Sequence, residues 1–161
     1  MKPDQIPRVS VTPSLRFLYT STIEVDPPLV VGHSPYGERR IITIKGGAFH
    51  GPRLSGRVLP GGADWQIIRD DGVAELEARY TLKTHDDALI YVYNRGLRRG
   101  SKEVIERLAS GDAVDPREYY FRTTPIFETG APEYTWLNGL VTIATGERRL
   151  TEVLITVYEV T

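Results

Sequence analysis

Between residues 73 and 84 the chain alternates without a break: Ala74, Leu76, Ala78, Tyr80 and Leu82 on one side, Glu75, Glu77, Arg79, Thr81 and Lys83 on the other. A period of two belongs to a pleated strand with one face buried, because successive Cβ atoms leave a strand on opposite sides. Segments of related character recur at residues 15–25, 39–45, 53–59, 64–69, 89–97, 119–127, 137–145 and 150–160, rich in β-branched and aromatic residues. Turn chemistry separates them: Pro27 and Pro28, Gly46 and Gly47, the Pro60-Gly61-Gly62 run, Asp70-Asp71-Gly72, Asp86-Asp87 and Gly146-Glu147. About nine strands with so many short connections predict an all-β, antiparallel fold. Closure into a barrel removes the exposed edges, and a two-sheet sandwich is the alternative.

Two stretches depart from the pattern. Residues 29–38 carry Gly32, Pro35 and Gly37 and are expected to form a long loop. Residues 101–110 predict the one helix: Ser101 can cap it, Glu103 lies in its first turn, Val104, Ile105 and Leu108 make an apolar stripe, and Gly111 ends it. Such a helix is expected to pack on the sheet as a lid or plug. Residues 1–13 hold Pro3, Pro7 and Pro13 and are set apart as an N-terminal arm, leaving residues 14–161 as a single barrel domain.

Composition narrows the function classes. With 20 basic and 21 acidic residues, no general attraction to nucleic acid or anionic lipid is expected. No apolar run approaches the roughly 20 residues needed to cross a bilayer, so a cytoplasmic protein without membrane partners is the expectation. The absence of cysteine excludes disulfides, thiolate nucleophiles and cysteine-based zinc frameworks. His33, His50 and His85 lack metal-ligand spacing, and there is no G-x-S-x-G nucleophile signature, so no metal and no cofactor is called for.

The chemistry-bearing candidates are polar residues in or beside apolar strands. Asp64 opens a strand next to Trp65, whose indole would desolvate the carboxylate and raise its pKa; the alternative is an Asp that caps the glycine turn. Arg122 interrupts the run Tyr119 to Pro125, sharing a face with Tyr120 and Thr124. A buried arginine needs a carboxylate or an anionic ligand, and the alternative is a solvent-facing side chain. Asn94 breaks the apolar face of Ile90 and Val92, opposite Tyr91 and Tyr93. Glu77 and Arg79 share a charged face that lines a polar lumen if it turns inward, and Trp136 with Tyr134 would close one end of a pocket.

The segments GGAFHGPRLSGRVLPGGADWQ, LEARYTLKTHDDALIYVYNRG and DPREYYFRTTPIFETGAPEYTWLNGL together resemble the DUF3237 family, also called UPF0311, over residues 15–160. The resemblance implies a lipocalin-like β-barrel with a cavity and brings no general activity with it. It directs attention to Asp64, Asn94 and Arg122 among residues that packing alone does not explain.

The expectation is a barrel that binds a small oxygenated or enolisable ligand and acts as a cofactor-independent acid/base enzyme: an isomerase, dehydratase or cyclase. Asp64 would be the base and Arg122 the oxyanion partner, with Trp65, Glu77, Arg79, Asn94, Tyr120, Thr124 and Trp136 binding the ligand. A non-catalytic carrier and a structural or interaction module are the alternatives, and association with further copies of the chain stays open.

Overall fold

A computed structural model describes residues 11–161. Ten strands follow in order: β1 (Leu15–Val25), β2 (Leu29–Ser34), β3 (Gly37–His50), β4 (Ser55–Val58), β5 (Ala63–Ile68), β6 (Ala74–Thr84), β7 (Leu89–Arg99), β8 (Tyr120–Glu128), β9 (Thr142–Arg148) and β10 (Glu152–Val160). All pairings are antiparallel. A closed circuit runs β1-β10-β9-β8-β7-β6-β4-β3 and returns to β1, so the fold is an eight-stranded barrel. Outside that circuit, β2 adds to β3, and β5 bridges β3 and β6. The arm at residues 1–13 lies outside the described residues up to position 10.

Three segments differ from the sequence expectation. Residues 29–38 form a hairpin rather than a long loop: β2 pairs with the start of β3, and Gly37 opens β3 at φ +117°. β3 runs on through Gly46 and Gly47 instead of stopping there. A Cβ at Gly47 would lie 2.0 Å from the Thr22 carbonyl oxygen, so glycine is what permits the neighbouring strand to approach there. Residues 137–139 belong to a 3-10 helix, Pro132–Gly139, and β9 begins only at Thr142. The helix α1 (Lys102–Ser110) forms as expected: the Ser101 hydroxyl accepts from the Val104 N–H, and Gly111 ends the helix at φ +85°.

The barrel interior has two unlike halves. One is a filled apolar end, where Tyr19, Phe49, Leu82, Ile90, Val92, Phe127 and Val157 are buried and Tyr19 meets Phe49 and Phe127 edge-on at 5.5 and 6.1 Å. Tyr134 and Leu137 of the 3-10 helix complete this core, and Tyr134 donates to Asp86 at 2.9 Å. At its rim Glu159 is 1% exposed and ion-pairs with both Arg16 and Arg53, and the Arg53 guanidinium also stacks on the Trp136 ring at 4.0 Å. The clamp ties β10 to β1 and to the segment after β3.

Burial alone would push the Glu159 carboxyl up, but the two arginines reverse this and hold it below its ordinary value. A carboxylate of lowered pKa stabilises the fold above its unfolded pKa and loses that contribution as pH falls through the folded value. Glu159→Gln is therefore expected to cost about 1–2 kcal/mol at pH 7, since both arginines can relax into solvent. In urea titrations the gap from wild type should close below about pH 4.5.

Candidate active site

The other half of the interior is polar. Strand parity turns Arg40 of β3, Asp64 and Gln66 of β5, Asn94 and Arg98 of β7, Thr123 of β8 and Arg148 of β9 to the inside. A cavity of about 60 Å³ lies among Asp64, Gln66, Tyr80, Asn94, Arg98, Thr123 and Arg148, with Ile23, Ile44 and Ile155 in its wall. That is room for about two ordered waters at some 30 Å³ each, or for the polar head of a larger molecule. Ala78, between Asp64 and Asn94 in one cross-strand row, leaves the space open between them.

Asp64 is held from two directions. Its Oδ1 accepts the Glu77 backbone N–H at 2.9 Å, and its Oδ2 accepts the Gln66 amide at 2.8 Å. Burial raises its pKa, and these hydrogen bonds together with the charges of Arg98 and Arg148 offset only part of that rise. Arg98 is buried, and burial with repulsion from Arg148 pushes its guanidinium down to about 10, with Asp64 opposing the shift. Among the described residues Arg98 makes no hydrogen bond or ion pair with a protein group, and Arg148 pairs with no carboxylate; its Nε donates to the Arg149 carbonyl at 3.1 Å. The Tyr119 hydroxyl accepts the Arg148 backbone N–H at 2.9 Å, and burial raises its pKa. Arg40 is neutralised by Glu38 at 2.7 Å. The cluster of Asp64, Arg98 and Arg148 thus holds one carboxylate against two guanidiniums, a surplus of positive charge that suits an anion.

Of the residues expected in the site, Asp64 and Asn94 line this cavity and the others do not. Arg122 is a correction: it faces out from β8, its Nη1 donating to the Phe121 carbonyl at 2.8 Å while its guanidinium stacks on Tyr120 at 5.3 Å. Tyr120 and Thr124 lie on the same outer face, because the buried set of β8 is Phe121, Thr123, Pro125 and Phe127. Trp65 also points outward, since neighbours along a strand take opposite faces, so the barrel interior and not the indole desolvates Asp64. Glu77 and Arg79 pair outside at 3.0 Å beneath Tyr93, and Trp136 sits at the opposite end of the barrel. A larger concavity of about 740 Å³ runs over this outer wall between Tyr36 and Ile126, but its charged groups are paired or in solvent: Glu77 meets Arg79 and Tyr93, Glu75 pairs with Arg69, Arg39 donates to the Trp65 carbonyl, and Arg95 is exposed. Satisfaction, not size, distinguishes the interior cavity.

Arg98, Arg148 and Gln66 carry the site without having been singled out, and Thr123 is marked only as one of the residues within the stretches that carry the family resemblance. A usable signal existed for Arg98: it keeps the parity of Ile90, Val92 and Asn94, so any reading that buries Asn94 also turns Arg98 inward.

A family model described as "Protein of unknown function (DUF3237)" matches residues 13–160. The chain belongs to the DUF3237 family. A UPF0311 protein of Rhodopseudomonas palustris is 43% identical over 152 residues, covering 93% of this chain and 99% of that one. The crystal structure of a β-barrel-like protein from Acinetobacter baumannii superimposes with a TM-score of 0.84 at 40% identity, over 96% of this chain and all of the other. A more distant relative, named a hydroalkoxylation enzyme, comes from Penicillium herquei and is 25% identical over 128 residues, 80% of this chain and 70% of that protein. The DUF3237 barrel is thus shared with relatives of nearly the same length, and one distant relative is an enzyme. No helix among the described residues is long and apolar enough to cross a membrane.

The raised pKa of Asp64 sets a direction for stability in this DUF3237 chain. The folded state holds that proton more tightly than the unfolded chain, so the contribution is favourable at acid pH and is lost as pH rises through the folded value. Asp64→Asn removes the charged form, and Gln66 can rotate its amide to keep the hydrogen bond. Thermal melts from about pH 4 to about pH 8 should show D64N gaining on wild type as pH rises, then levelling.

Proposed function

We propose that this protein is an acid/base enzyme that binds a small enolisable or conjugated oxyanion inside its barrel and moves a proton on it. Arg98 and Arg148 receive the carboxylate, enolate or phenolate oxygen, and Asp64 takes and returns the proton. The observation that carries the reading is the juxtaposition of a buried, hydrogen-bonded carboxylate with two guanidiniums that lack a neutralising partner, around one cavity. Fixed donors aimed at developing negative charge in a water-poor site are a large source of rate enhancement. A carboxyl raised toward the working pH exchanges protons better in both directions than an ordinary aspartate.

The distant relative supports the reaction class. Hydroalkoxylation adds an O–H across a C=C bond, and such an addition asks a protein for a proton carrier and an oxyanion partner. The isomerase, dehydratase and cyclase readings share that demand. The cavity admits the reacting head of a ligand, so the remainder of a larger substrate must extend toward the end where Arg40, Arg148 and Val153 are only half-buried. A carrier would bind the same anion without needing Asp64, and that difference separates the two readings.

The test is proton exchange at the methyl group of pyruvate, a small enolisable anion, followed by NMR in deuterated buffer. Wild-type protein should accelerate exchange above an equal concentration of acetate. Asp64→Asn and Arg98→Met should each lower the rate about a hundredfold or more, within the usual reach of a positioned acid/base group. Arg122→Met, on the outer wall, should leave the rate unchanged. Exchange no faster than acetate, or equal rates in wild type and D64N, would refute the catalytic assignment.

A further inference from the structure

Beyond the charged cluster, the cavity wall carries polar groups with no use in the proton transfer described above. Asn94 is 4% exposed, and its Oδ1 has no hydrogen-bond partner among the described residues. Thr123 is also 4% exposed, and its Oγ1 is likewise without a partner. Both line the cavity. They sit on adjacent strands, Asn94 opposite Pro125 and Thr123 opposite Gly96, so they are diagonal neighbours on one face and close enough to address one group. A third cavity-lining group, the Tyr80 hydroxyl, also lacks a partner; it lies near the Tyr19 hydroxyl without meeting hydrogen-bond geometry, and burial raises the pKa of both.

Local packing holds these groups inward. A Cβ at Gly96 would stand 2.5 Å from Thr123 Cγ2 and 2.1 Å from the Arg122 carbonyl oxygen, so glycine is what lets Thr123 sit so near β7. The amide of Asn94 offers a donor and an acceptor, and the hydroxyl of Thr123 can serve as either. Neither carries charge, and the matching ligand group is one that donates and accepts at once.

We infer that Asn94 and Thr123 form a hydroxyl-binding subsite, and that the substrate is a hydroxylated anion: its charged oxygen rests on Arg98 and Arg148 while a neutral hydroxyl reaches Asn94 and Thr123. This rests on the anion-binding part of the proposed function and adds the second recognition element. The open row across Ala78 connects this subsite with Asp64, so a hydroxyl held there faces the proton carrier. Selectivity follows from the cost of leaving buried polar groups unpaired: an analogue without the hydroxyl leaves both unsatisfied.

Matched probes test this by calorimetry: glycolate against acetate, and 3-hydroxybenzoate against benzoate. Wild type should bind the hydroxylated member of at least one pair tenfold or more tighter. Thr123→Val and Asn94→Leu should abolish that preference while keeping the weaker affinity for the plain acid, and both should melt at or above the wild-type temperature, because they remove a buried group that has no partner. Arg98→Met should weaken both members of each pair together. Equal affinities within each pair, with binding still sensitive to R98M, would overturn the hydroxyl subsite and leave the anion site standing, with Asn94 and Thr123 serving ordered water. Absence of binding by all four probes, or binding indifferent to R98M, would overturn both. A large loss of stability in T123V and N94L would make these residues structural and end the subsite.

Discussion

A guanidinium inside a closed barrel is the constraint around which the rest of this structure is arranged. Eight strands closed by backbone hydrogen bonds leave no edge through which Arg98 can reach water sideways, and its strand parity turns it inward. Its charge has to be balanced inside. Asp64 is the near carboxylate, yet both of its oxygens are engaged by Gln66 and the Glu77 backbone, and Arg148 adds a second positive charge. In a medium of low effective dielectric this imbalance is costly; the Phe121 ring, 5.8 Å from the Arg98 guanidinium, offsets part of it, and water or an anion that enters the cavity can supply the rest. Burial sets the opposed shifts at the site, raising Asp64 and lowering Arg98, both toward their neutral forms; the surplus positive charge adds to the shift of Arg98 and opposes that of Asp64.

The architecture was legible in the sequence because it depends on alternation and turns. The buried set of β6 is the set that alternation selects, and the Asp70-Asp71-Gly72 and Asp86-Asp87 turns fall where they should, with Gly72 and Asp87 at positive φ. The site was less legible, and β8 shows why. Its two faces are Tyr120, Arg122, Thr124, Ile126 and Glu128 against Phe121, Thr123, Pro125 and Phe127, and neither is purely polar or apolar. A conspicuous arginine drew attention to the first set, although the second has three apolar members and no charge. Trp65 misled in another way, since adjacency in sequence within a strand means opposite faces. Arg148 could not be found from its own strand, because Thr142, Ala144 and Gly146 say little about burial, and glycine is required there by the ring of Phe121, which would lie 2.5 Å from a Cβ.

The two ends of the barrel divide stability from chemistry. Buried polar groups without partners cost roughly 1–3 kcal/mol each, and the polar end holds several, while ordinary domains are stable by only about 5–15 kcal/mol. The opposite end has the contrary character: aromatic rings packed edge-on, branched side chains with no measurable exposure, and a carboxylate satisfied by two arginines. Glu159 and Asp64 are both buried acids, yet one is held ionised by guanidiniums in direct contact, and the other is shifted toward its protonated form by burial, which guanidiniums near it but not bonded to it only partly offset. The difference is geometric. Direct ion pairing fixes a charge for structure, whereas a carboxyl hydrogen-bonded by neutral donors and only overlooked by arginines keeps a proton within reach of the cavity, which is the condition acid/base catalysis requires.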